Sequence, residues 1–187
     1  MRPLRADARD NRARILDAAE EVFGGRGAAG STEDVAKLAG VGIATVFRHF
    51  PTKQDLVRAV LTAKLERLRD RARELAASPD PGGAFFDFFT EVVDGAAQKL
   101  TIGEALAGEG DDPSPDRDLA LAGDEMRQAI GELLDQAQQA DAVRRDAEFP
   151  EVYALIVGTS RATAALRLPD AVKDRMLALV FDGLRPL

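Results

Sequence analysis

An all-α fold is predicted for these 187 residues, with a small three-helix N-terminal unit followed by a larger helical body. Three observations predict it. Apolar residues recur at helical spacing in segment after segment, and no stretch alternates apolar and polar residues as a half-buried strand would. A tight break at Gly40, Val41 and Gly42 separates two short amphipathic segments. The chain is 45% hydrophobic and 30% charged, enough apolar material for a proper core and unlike a disordered or fibrous chain.

The first helix carries Ile15, Ala19, Val22 and Phe23 on one face and is expected to end at Gly24, Gly25 and Gly27. Ser31 with Asp34 three residues later fits a capping box that starts the second helix, whose inner face is Val35, Ala36 and Ala39. Gly40 stands where a helix C-terminus needs a left-handed residue, and Val41 plugs the joint. Val46 and Phe50, four apart, give the third helix its inner face, and small Ala36 lets the second and third helices cross closely. The outward positions left over are Ile43, Ala44, Thr45, Phe47 and Arg48, with His49 beside them. Such a helix-turn-helix places its second helix in the major groove of double-stranded DNA.

FPTKQDL follows at once, from Phe50 to Leu56. Thr52 and Asp55 form a second capping box, so a helix begins with outward-pointing backbone N–H groups and Lys53 in its first turn. Free amides, a positive helix end and an ammonium together make a phosphate site where the DNA backbone would pass.

Across its first 60 or so positions the chain resembles the TetR family of transcriptional regulators. The matching elements are an Arg-rich leader, the helix DNRARILDAAEEVFGGRG, and TEDVAKLAGVGIATVFRHFPTKQDLV. The resemblance implies phosphate contacts from Thr32, Thr45, Phe47 and Lys53, with Gly42, Ile43, Ala44, Arg48 and His49 as further groove-facing positions. Phe47 departs from the tyrosine common at its place in the family, so any contact it makes to the DNA backbone lacks a hydroxyl. The resemblance further implies a head of residues 1–51, with a flexible Arg-rich arm, and a ligand-binding and dimerisation body of residues 52–187. It implies a homodimer through the last two helices and a small-molecule effector held in the body.

Along the body, Leu56, Val57, Val60, Leu61, Leu65, Leu68, Ala72 and Leu75 stripe one long helix from Thr52 to about Ala77, which SPDPGG (78–83) stops. A second helix, from about Ala84 to Leu100, bears Phe85, Phe86, Phe88 and Phe89. Four phenylalanines in five residues cannot share one stripe, so this segment is buried on several sides or lines a cavity. A short segment (102–107) leads to an acidic, turn-rich loop (108–116) whose aspartates lack EF-hand spacing. A further helix runs from Leu119 to about Ala140. The final pair comprises Glu151 to Leu166, rich in small residues such as Gly158 and Ala162, and a helix opened by Pro169 and Asp170. For an effector space, the candidates are Leu61, Leu65, Phe86, Phe89, Met126 and Tyr153, with Arg127 as polar anchor; ordinary core packing competes for each.

The net charge of −7 is unevenly spread: residues 1–60 hold 10 basic against 8 acidic side chains, whereas residues 61–187 hold 15 against 24. Arg2, Arg5, Arg9, Arg12 and Arg14 concentrate positive charge in the leader, where an arm can touch phosphate or the minor groove. With no cysteine and one histidine, disulfides, thiolate metal sites and multi-histidine sites are excluded. The lone histidine sits in the groove-facing helix, and no Walker loop or dinucleotide fingerprint is present, which argues against an enzyme and against a bound cofactor. A helical module that binds a protein partner, or a regulator without a small-molecule effector, is the remaining alternative. No apolar run reaches the roughly 20 residues of a membrane span and no secretion signal stands at the start, so a cytoplasmic location is expected.

Overall fold

A computed structural model describes residues 3–96, 98, 101–102 and 116–186. Among them lie eight α-helices and no strand: α1 (Pro3–Arg26), α2 (Thr32–Ala39), α3 (Ile43–His49), α4 (Lys53–Ala76), α5 (Pro81–Asp94), α6 (Arg117–Gln139), α7 (Phe149–Leu166) and α8 (Asp170–Leu184), with a 3₁₀ turn at Gly27–Ala29. The chain divides into two compact units, one of Met1–Lys64 with Gln98–Ala120, the other of Leu65–Ala97 with Leu121–Leu187. The division runs through α4 rather than ahead of it at residue 52. The expected short segment and acidic loop (102–116) lie outside the described residues, apart from Ile102 and Asp116.

In the first unit, Ile15, Ala19, Val22 and Phe23 of α1 meet Val35, Ala36 and Ala39 of α2, Val46 of α3, and Leu56, Val57 and Val60 of α4 in one buried cluster. Ile102 joins that cluster from far along the chain. Burial of side chains this size contributes roughly 1.5–3 kcal/mol each, so a few inner faces hold three short elements together. A polar contact ties the same unit at its edge: the Lys64 ammonium donates to Glu20 at 3.2 Å and to the Gln98 carbonyl oxygen at 2.8 Å.

Two helix ends differ from expectation. α1 runs through Gly24 and Gly25 and stops only at Gly27, whose φ of +54° breaks the helical path. Glycine lowers helix propensity by about 1 kcal/mol, which packing of Val22 and Phe23 overrides. Pro81, Gly82 and Gly83 do not merely stop α4; they are the first turn of α5, with the Asp80 carboxylate accepting from the Gly83 N–H at 3.0 Å. Proline suits that first turn because its missing N–H would be unpaired there anyway. The expected flexible leader is helical from Pro3 onward.

In the second unit, Phe85, Phe88, Phe89 and Val93 of α5 pack with Met126, Ile130, Leu133 and Leu134 of α6, Val152 and Ile156 of α7, and Leu177 and Leu184 of α8. α7 starts two residues earlier than expected, on a Glu148–Glu151 capping box. The body is pinned at its periphery by Arg69–Glu125 at 2.5 Å and Lys173–Asp94 at 2.5 Å. The Asp94 carboxylate raises the Lys173 ammonium above its ordinary range.

Candidate nucleic-acid interface

The turn between α2 and α3 forms as its residues dictate. Gly40 adopts φ +65°, its N–H reaches the Lys37 carbonyl at 3.2 Å, and the Val41 N–H reaches the Ala36 carbonyl at 3.0 Å. This is a Schellman closure, and it needs a left-handed residue that only glycine supplies without strain. Val41 then packs against the unit's core. Ser31 caps the other end of α2 by accepting from the Asp34 N–H at 3.1 Å.

α3 turns Val46 and the following Phe50 inward, at 0% and 4% exposure. Ile43, Ala44, Phe47 and Arg48 are exposed, with Ile43 at 37% and Phe47 at 43%. Thr45 and His49, expected among the outward positions, are half-buried flanks of that face. The 3.6-residue period explains this, since positions 45 and 49 lie between the outward quartet and the buried pair. Gly42 is exposed, and a side chain there would meet open space. Thr32 is buried, and its hydroxyl donates to the Glu33 carboxylate at 3.4 Å.

α4 begins with the reciprocal capping box expected: the Asp55 N–H donates to the Thr52 hydroxyl at 3.0 Å, and the Thr52 N–H to the Asp55 carboxylate at 3.0 Å. Lys53, expected at phosphate, donates to the Ala28 carbonyl at 2.9 Å and lies 5.9 Å from the Phe23 ring centre. It thereby clamps the 3₁₀ turn after α1 to the start of α4.

The leader arginines hold roles that sequence alone did not assign. Arg14 donates to the carbonyls of Ala39 and Gly40, the latter at 3.2 Å, and so caps the C-terminus of α2. A cation there satisfies carbonyls without intrahelical partners and complements the negative helix end. Arg12 lies over the Phe50 ring at 5.3 Å. Removing the Arg14 cap by Arg14→Ala is expected to lower stability by about 1 kcal/mol, read as a drop in thermal midpoint. An unchanged midpoint would dismiss the cap.

The proposed effector residues do not form one set. Leu61 packs on the first unit's core, whereas Leu65, Phe86, Phe89, Met126 and Tyr153 belong to the second unit's core or its margin. Phe89 and Met126 are buried, Phe86 and Tyr153 half-buried, and Arg127 exposed. Phe181, which sequence reasoning did not single out for this cluster, stands 4.7 Å from Phe86 and 5.3 Å from Phe89 between ring centres. The Tyr153 ring stacks on Phe149 at 5.5 Å, and a hydrogen bond to Tyr153 is the main cause that raises the Arg127 guanidinium above its ordinary range, with Asp124 adding to it.

This is the architecture of a helix-turn-helix protein with a separate helical body. Residues 15–60 match the model of the bacterial regulatory proteins of the tetR family, and residues 80–186 match that of the SbtR-like transcriptional regulator C-terminal domain. A TetR transcription regulatory protein from Mycobacterium vanbaalenii has a similar structure, with a TM-score of 0.81, 38% identity, and coverage of 98% of this chain and 100% of that one. A TetR transcriptional regulator from Streptomyces coelicolor is similar at TM-score 0.77 and 32% identity, covering 94% of this chain and 98% of that one. The HTH-type transcriptional regulator TtgR of Pseudomonas putida is 36% identical over 96 residues, 49% of this chain and 45% of that protein; the chain thus spans about half the length of the curated relatives it matches. The chain belongs to the TetR family of transcriptional regulators, a family of regulators rather than enzymes. No described helix is long and apolar enough to cross a membrane.

Proposed function

We propose that this chain is a cytoplasmic repressor that binds a palindromic DNA operator as a homodimer and is released by a small-molecule effector held in its helical body. The observation that carries the DNA-binding part is α3 itself, which turns Val46 into the core and leaves Ile43, Ala44, Phe47 and Arg48 exposed. The proposed DNA-contact set keeps Thr32, Thr45, Phe47 and Lys53 on the phosphate side and Gly42, Ile43, Ala44, Arg48 and His49 toward the groove, with the exposed quartet at its centre.

Pairing is supported by an apolar surface on the last two helices. Leu155 and Leu166 of α7 and Val172 and Leu179 of α8 are exposed, the last at 76%. Gly158 has open space where a side chain would stand, which suits close approach of another helix. A single helix-turn-helix reads only a few base pairs, whereas two heads about a twofold axis read major-groove faces about 34 Å apart. The effector site is proposed in the second unit around Leu65, Phe86, Phe89, Met126 and Tyr153, with Arg127 for a polar group and Leu61 as an outlier. α4 runs through both units, so a ligand that displaces its second half acts on the helix that begins beside α3, with coupling on the order of 1–3 kcal/mol.

Mobility shifts on DNA upstream of the gene test the reading: sequence-specific binding that weakens steeply with salt is expected, and absence of preference at every salt concentration refutes it. Lys53→Ala is expected to weaken binding to all sequences and to make the salt dependence shallower by about one unit of slope. An unchanged slope would remove Lys53 from the DNA interface.

A further inference from the structure

We propose that α3 reads its half-site chiefly through thymine methyl groups, contacted by Ile43, Ala44 and Phe47, with Arg48 directed to guanine at the edge of the same strip. The inference rests on the DNA-binding reading above and names the groove chemistry that this surface accepts. Three of the four exposed side chains of α3 are apolar, and Ile43 and Phe47 stand four apart on one face at 37% and 43% exposure. Large apolar side chains left in water gain free energy only when something apolar covers them. In the major groove the one apolar feature that differs between base pairs is the 5-methyl group of thymine.

The residues missing from α3 narrow the choice further. The sequence IATVFRH contains no Asn, Gln, Asp or Glu. The bidentate amide contact to adenine and the carboxylate contact to the cytosine amino group therefore cannot come from this helix, which leaves methyl contact and the arginine–guanine pair as its strongest base discriminants. Thr45 and His49 are half-buried and stand to the side of the strip.

The test begins with selection of a preferred operator from a random duplex pool by the full-length protein. Each thymine of the half-site is then replaced by deoxyuracil, which deletes the methyl and leaves the hydrogen-bonding edge unchanged. About fourfold weaker binding is expected for each contacted methyl removed, the loss that follows from roughly 0.8 kcal/mol per buried carbon. In Ile43→Ala or Phe47→Ala the penalty at the position that residue contacts is expected to vanish, while penalties elsewhere persist. Both residues are exposed, so the substitutions leave the core intact, and the uracil series on the unaltered protein needs no variant. Uracil replacement without effect at every position of a specific operator would overturn methyl reading alone, as would penalties that persist unchanged in both variants. A pool that yields no preferred sequence would overturn the DNA-reading proposal and this one with it.

Discussion

Leu179→Glu is expected to leave a folded subunit in which the proposed pairing is lost, with operator affinity about a thousandfold lower because the two heads would lose their linkage. Leu179 is 76% exposed in the single chain, so its replacement removes little from the subunit's own core. At a twofold interface between copies of α7 and α8, the same change would introduce a charge from each partner into an apolar surface, where an unpaired charge is costly. Sedimentation velocity checks the assembly and mobility shift checks the affinity. Leu121→Glu on α6, also at an exposed leucine, is the matched control and should change neither. A Leu179→Glu protein that still sediments as a dimer would remove α7 and α8 from the pairing surface.

Phe89→Ala is expected to cost about 3–5 kcal/mol of stability, the range for emptying a buried aromatic site. Its ring is fully buried, 5.3 Å from the Phe181 ring centre and 6.4 Å from that of Phe85. Both neighbours lose an edge contact worth roughly 0.5–1.5 kcal/mol in addition to buried area. With typical domains stable by only 5–15 kcal/mol, such a loss moves the denaturant midpoint by a large fraction of its value. The half-buried Phe86 provides the comparison. It keeps one face under the Arg185 guanidinium at 5.2 Å, so Phe86→Ala is expected to cost about 1–2 kcal/mol. Equal losses at the two positions would contradict the packing described for α5.

Much of the candidate DNA-binding surface was legible in the sequence because its determinants are local. The capping pairs Ser31–Asp34 and Thr52–Asp55 act over three residues, and Gly40 acts through its own backbone. The inward pair Val46 and Phe50 follows from one helical turn. Helix limits were less legible where local propensity conflicted with packing. Gly24 and Gly25 read as a stop but continue α1, and Pro81 reads as a terminator but starts α5 because Asp80 caps it. Thr45 and His49 stand at the same kind of margin: on a seven-residue helix, a half-buried flank differs from an exposed face by only one position's rotation.

By itself the sequence determined the all-α class, the helix-turn-helix and the family, because helical period, turn chemistry and ordered motif spacing are carried by neighbouring residues. Tertiary structure alone decided where the cations go. Arg14 reaches Gly40 across 26 positions and Lys53 reaches Ala28 across 25, and no periodicity records such a meeting. It likewise brought Phe181 to Phe86 and Phe89, and Ile102 into the first unit's core. The physical reason is range: a helix forms from interactions within four residues, whereas the partner of a long side chain is set only when separately formed helices pack and their remaining carbonyls and ring faces seek whatever lies opposite.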